Sequence, residues 1–221
     1  LFPYTTLFRS GRLDIDGYWD TDLFTQFGGL TDIGESGILF DYQGISLLGG
    51  GTLNVDGEFD TLAFIHDGGT VAGRGIILAP DIYYHANGVI MPGGPVPGTL
   101  TIDGNYYMDS GAAGAFSLHT DPALSNSLFV TGWAEIYGTI IPVFERDLPS
   151  RGDSFVLVEA LDGTGGDPQL ERPSFSPMID FQLSFTGDSL VLSLIARDFA
   201  DWAGSPQQQA VAGALDAALA P

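Results

Sequence analysis

A short phrase is written three times in this chain: "GRLDIDGYWD" at residues 11–20, "GTLNVDGEFD" at 51–60 and "GTLTIDGNYYMD" at 98–109. Each has a glycine, Leu alternating with Ile or Val, then Asp-Gly and an aromatic. Glycine pairs fall at Gly28-Gly29, Gly49-Gly50, Gly68-Gly69 and Gly93-Gly94, at steps of roughly 20 residues. Between them lie runs such as "SGILFDYQGISLL" and "TVAGRGIILAPDIYY", rich in Ile, Leu, Val, Phe and Tyr and bounded by turn residues, which are strand signals with turn punctuation. A strand-only repeat of this length cannot bury its apolar face alone, so it must stack on its neighbours. The expected fold is all-β: a right-handed, single-stranded parallel β-helix (solenoid) with a capping β region and a short C-terminal α-helix. The phrase then reads as one strand and its Asp-Gly turn, met on every second turn of the solenoid. Alternation sends Leu53, Val55, Leu100 and Ile102 inward and Thr52, Asn54 and Thr101 outward. The alternative is an antiparallel sandwich in which Asp-Gly closes hairpins.

The texture changes along the chain, and four segments are expected. Residues 1–10, "LFPYTTLFRS", resemble a translated sequencing-library adapter and are set aside as extraneous; the natural N-terminus is then expected to be missing. Residues 11–97 carry the solenoid turns. Residues 98–197 hold longer strands, including a hairpin in "SFTGDSLVL" with Gly187-Asp188 at its tip, and form a cap over the open end. Leu100, Ile102, Val130, Trp133, Ile136, Ile140 and Val143 are the candidates for its buried face. Residues 198–221 switch to helix, with Ser205 as N-cap, Pro206 in the first helical position and Gln208 completing a capping box. Ala210, Val211, Ala214, Leu215, Ala218 and Leu219 make a narrow apolar stripe.

Composition narrows the partners. With 28 acidic against 7 basic residues, nucleic acid and anionic membrane surfaces are poor partners. The absence of cysteine removes disulfides, thiolate metal sites and a cysteine nucleophile. A hydrophobic content of 44% argues against disorder.

Residues 88–220 resemble the C-terminal end of a classical autotransporter passenger, a type V secreted protein of Gram-negative bacteria. The resemblance rests on "GVIMPGGPVPGTLTIDGNYYMDSGA", "SLFVTGWAEIYGTIIPVF", "GDSFVLVEA" and "DSLVLSLIARDFADWAGSPQQQAVAGALD" in that order. It implies final β-helix turns, an autochaperone segment at 98–197, and a helix that enters the pore of the protein's own outer-membrane barrel, which would follow Pro221. By the same resemblance the chain is expected on the cell surface or secreted, attached to the outer membrane, monomeric and adhesin-like. It is expected to lack enzymatic activity of its own. The family helix often has Asn where Gln207 stands, and no Asn occurs between Asp198 and Pro221, so self-cleavage through a linker Asn lacks its nucleophile. The alternative function is the stem of a surface enzyme (esterase, protease or carbohydrate-active) whose catalytic part lies upstream.

No catalytic, cofactor-binding or metal-ligating residue is assigned, because each motif has a plainer structural reading. "GDSL" at 187–190 suggests an esterase, but no His follows Ser189 to take its proton, and a hairpin turn accounts for it. "RGD" at 151–153 suggests an integrin ligand, yet Gly152-Asp153 before "SFVLV" suits a turn into a strand. His66, His85 and His119 lack zinc spacing unless neighbouring turns bring them together, and they are expected to be structural. "GGGTLNVDG" is similar to calcium-binding β-roll repeats, without their tandem copies. The pairs Asp14/Asp16 and Asp20/Asp22 suit either carbohydrate chemistry or a solvated acidic face, with Arg12 the nearest cation and Arg74 some turns away; the solvated face is expected.

Overall fold

In the computed structural model, which describes residues 5–41, 44–94, 96–121, 124–144, 152–173, 179–196 and 198–219, each turn of chain lies in parallel register on the one before. The result is a parallel β-solenoid of about six turns ending in one short helix. Three walls enclose its interior. The first is built from β2 (Arg12–Ile15), the second halves of β4 (Leu23–Ile33), β6 (Ile45–Val55) and β8 (Ala63–Gly73), the end of β9 (Ile76–Pro92), then β11 (Ala112–Leu118), β14 (Thr139–Phe144) and β17 (Gln169–Leu170). The second holds β3 (Tyr18–Thr21), β5 (Ile38–Asp41), β7 (Glu58–Asp60), the starts of β9 and β10 (Thr99–Met108), β12 (Ser127–Val130) and β15 (Ser154–Ala160). The third takes β1 (Thr5–Phe8), the first halves of β4, β6 and β8, the middle of β9, the end of β10, β13 (Trp133–Ile136) and β16 (Gly163–Gly166). Strand β1 falls in the segment set aside as extraneous; an open parallel edge pairs with any extended backbone, so its pairing does not bear on its origin.

Alternation along each strand sends every second side chain inward, and parallel stacking turns these into ladders. One runs Leu39, Phe59, Ile77, Ile102, Val130, Ala160, and all six are buried. Another runs Thr31, Leu53, Val71, Ile90, Gly114, Ile140. The core therefore passes unbroken across residue 97. The expected inward positions Leu53, Val55, Leu100 and Ile102 are all fully buried.

The repeated phrase occupies one wall only twice. Leu13 and Leu53 flank Thr31, two turns apart on the first wall, whereas Ile102 lies on Ile77 in the second wall. The phrase specifies a short alternating strand and a bend; contact with the turn below decides which wall receives it. The glycine pairs, likewise, do not all fall at one corner. Gly29, Gly51, Gly69 and Gly88 share one corner, with φ of 78°, 82°, 75° and 91°, while Gly93 bonds to Gly73 at another corner. At Gly69 a Cβ would sit 2.4 Å from the Gly51 carbonyl oxygen. Both the left-handed backbone and the close approach thus require glycine there.

The C-terminal end is closed differently. β18 (Ile179–Thr186) and β19 (Ser189–Ala196) form an antiparallel hairpin, and β19 pairs antiparallel with β15. Gly187 at its tip has φ 65°, as the Gly-Asp hairpin expectation requires. Phe181, Leu190, Leu192 and Leu194 enter the core as a lid, and Phe144 packs on Phe155 and Phe181. Of the candidates for the cap's buried face, Leu100, Ile102, Val130, Ile136 and Ile140 are buried. Trp133 and Val143 are not: they are 44% and 39% exposed. Each stands three residues from a buried partner, Ile136 and Ile140, and in a strand an odd separation reverses the face.

Candidate functional site

The third wall carries an interior polar ladder. Gln26, Leu48, His66, His85, Met108 and Ile136 succeed one another at one position, beside a second ladder of Ser46, Phe64, Tyr83, Tyr106 and Ala134. The His66 and His85 rings stack at 4.2 Å with 2° between their planes, and both are fully buried. His66 Nδ1 is 3.1 Å from the Tyr83 hydroxyl, and Nε2 is 3.4 Å from the Gly69 carbonyl. A carbonyl only accepts, so Nε2 carries the proton and the Tyr83 hydroxyl donates to Nδ1. His85 Nδ1 meets the Tyr106 hydroxyl at 2.8 Å, while its Nε2 is left without a hydrogen bond. Burial pushes the His66 pKa down to about 4. Burial, and then the neighbouring His66, push His85 down to about 2.

Both rings are therefore neutral core residues. Neighbouring turns do bring them together, but face to face, with each Nδ1 occupied by a tyrosine. Among the described residues no group of three or more His, Asp or Glu side chains converges as metal ligands. His119 lies apart in a loop, where its Nδ1 accepts from the Asp121 N–H at 3.0 Å. The sequence signal for the ladder was the alignment of "FIHDGG", "YYHANG" and "YYMDSG", in which inward aromatic, inward His or Met and corner Gly keep step.

Outside the first wall, Asp14, Asp32 and Asn54 stack on successive turns. Arg12 bridges Asp14 and Asp32 at 2.5 and 2.7 Å, and Asn54 Nδ2 donates to Asp32 at 2.8 Å. Arg74, whose turns lie further along, pairs with Glu35 at 2.5 Å. The Asp14 side of the acidic pairs is thus an ion-paired solvated face; Asp20 is exposed on β3.

At "GDSL", Ser189 Oγ donates to Asp188 at 3.2 Å in the hairpin turn, and Leu190 is core. In "RGD", Arg151 lies outside the described residues; the Gly152 N–H donates to the Leu194 carbonyl and the Asp153 carbonyl accepts from Leu194 N–H, tying the turn to the lid. Beyond the lid, a 3-10 helix (Phe199–Trp202) precedes α1 (Pro206–Leu219). Ser205 Oγ accepts from Gln208 N–H at 3.3 Å, as an N-cap should. Gln208 Oε1 instead reaches the Gly204 N–H at 3.0 Å, one residue before the position a capping box uses. Ala212 is buried, while Val211 and Leu215 are 62% and 44% exposed. No helix among the described residues is long and apolar enough to cross a membrane.

These features define a lidded parallel β-solenoid whose polar interior groups serve packing. A scan against protein-family models gives no match, and comparison with curated proteins gives none either.

Proposed function

We propose that this chain is the C-terminal part of an autotransporter passenger: a β-helical, adhesin-like stem whose last turns fold first and template the rest during passage through the outer membrane. In this reading it is monomeric, has no catalysis of its own, and is held at the Gram-negative cell surface by its own C-terminal barrel. The observation that carries the proposal is the asymmetry of the stack. All turn-to-turn pairings among the described residues are parallel, and the antiparallel β18–β19 hairpin lies at the C-terminal end, where β19 pairs with β15 and the Gly187 carbonyl accepts from the Thr164 hydroxyl at 3.4 Å. A C-terminal turn that emerges first is thereby closed on its far side and open on the side that receives earlier turns. Each newly arriving turn gains its burial from the neighbour already folded, so folding proceeds directionally without ATP. The slender α1, made mainly of Ala, Gly and Gln and leaving Val211 and Leu215 uncovered, suits a segment lodged inside a barrel lumen.

The test places this chain between a secretion signal and an outer-membrane barrel in a Gram-negative host. Leu192→Asp, which puts a charge into the lid, should reduce protease-resistant passenger at the surface while the barrel still assembles. Full surface display of folded Leu192→Asp passenger would overturn the autochaperone reading.

A further inference from the structure

The outward face of the third wall is chemically unlike the rest of the molecule. In a chain of formal charge −21, its outward positions from β4 to β10 are uncharged apart from Asp67, where β8 enters its corner, and run through Ile45, Leu47, Ile65, Ile82 and Tyr84 to Tyr107. Acidic residues line its corners instead, with Asp81 and Asp103 exposed on one side and Asp67 on the other. One turn further on stands Trp133, 44% exposed. Its indole lies across Gly163 and Gly165 of the next turn: a Cβ at Gly163 would sit 2.6 Å from Cζ3, and one at Gly165 would sit 3.3 Å from Cζ2. Two glycines in adjacent outward positions make a flat shelf, so one indole face rests on backbone and the other meets solvent. Glu135, beside Trp133 on the same face, accepts from the Tyr137 hydroxyl at 2.6 Å, and Tyr84 donates to Asp109 at 2.9 Å.

We propose that this strip, together with Trp133 at its C-terminal end, binds a neutral glycan. A flat, uncharged aromatic face takes the C–H face of a sugar ring, and a carboxylate with acceptor sites beyond the one Tyr137 uses receives sugar hydroxyl protons. Other occupants fit less well. The strip measures about 24 Å by about 12 Å at the usual turn and residue spacings, so about 300 Å² against the roughly 800 Å² per partner of a stable dimer, and a second copy would press acidic corners together. An extended peptide gains affinity by adding to an open strand edge; here the backbone is paired with the turn on either side. A polyanion is repelled by the corners. The proposal stands independently of the secretion reading.

The experiment titrates the whole chain with cellohexaose and chitohexaose by isothermal titration calorimetry, with tryptophan emission followed in parallel, and with an Arg-rich peptide and an uncharged apolar peptide as comparison ligands. A saturable change with a neutral hexasaccharide, insensitive to salt, is expected. Trp133→Ala should bind at least about tenfold more weakly with an unchanged circular dichroism spectrum, and Val156→Ala, exposed on the second wall, should bind as the parent does. Gly165→Val, which crowds the indole off its shelf, should weaken binding while keeping the tryptophan. Failure of both hexasaccharides to bind, binding indifferent to Trp133→Ala and Gly165→Val, or binding of a peptide alone would each overturn the proposal.

Discussion

Lowering the pH from 7 to 5 should destabilise the middle turns through His66 and His85. In the folded chain these rings stay neutral, with pKa values pushed down to about 4 and about 2, against about 6.5 in an unfolded chain. The unfolded state therefore binds more protons below pH 6.5, and stability falls with falling pH from there toward the folded values. At pH 5 each ring contributes a loss of about 2 kcal/mol, about 4 kcal/mol together, a large share of the 5–15 kcal/mol typical of a domain. Any fall in the net charge of −21 with falling pH acts in the opposite direction by easing self-repulsion. A variant isolates the histidines: His66→Leu and His85→Met borrow the ladder neighbours Leu48 and Met108, and Tyr83→Phe with Tyr106→Phe removes the hydroxyls that would lose partners. Urea unfolding followed by circular dichroism at pH 7.5, 6 and 5 should show stability falling more steeply in the parent, by up to about 2.7 kcal/mol per pH unit near pH 5. Equal pH dependence in parent and variant between pH 6.5 and 5 would refute the reasoning.

Gly69→Ala should cost more than Gly187→Ala in thermal unfolding. Both backbones are left-handed, an expense of about 1–2 kcal/mol for an L residue, but only Gly69 faces a carbonyl at 2.4 Å, while Gly187 has open space. Leu192→Ala should cost about 2–5 kcal/mol by opening a cavity under the lid, read from the urea midpoint. Ile140→Asp, buried at 1% exposure, should abolish protease resistance, whereas Trp133→Asp should leave it nearly intact because the indole lies outside the core; equal damage from both would contradict the assigned faces.

Much of this architecture is written locally. Alternation in "TLNV" and "TLTI" placed Leu53, Val55, Leu100 and Ile102 inside without reference to anything distant, because a strand's side chains must alternate. Gly187-Asp188 announced its hairpin, and Ser205-Pro206 announced the helix start, for the same reason: each depends on the backbone preferences of adjacent residues. What the sequence did not order was the matching of one turn to another. The third phrase falls on a different wall from the first two, Gly88 rather than Gly93-Gly94 continues the corner, and Trp133 lies on a glycine shelf some thirty positions further along the chain. The stacking of His66 on His85 belongs to the same class. Those placements are decided by which register lets successive turns share one interior with no carbonyl struck by a Cβ, a condition on residues roughly 20 apart that no local window contains.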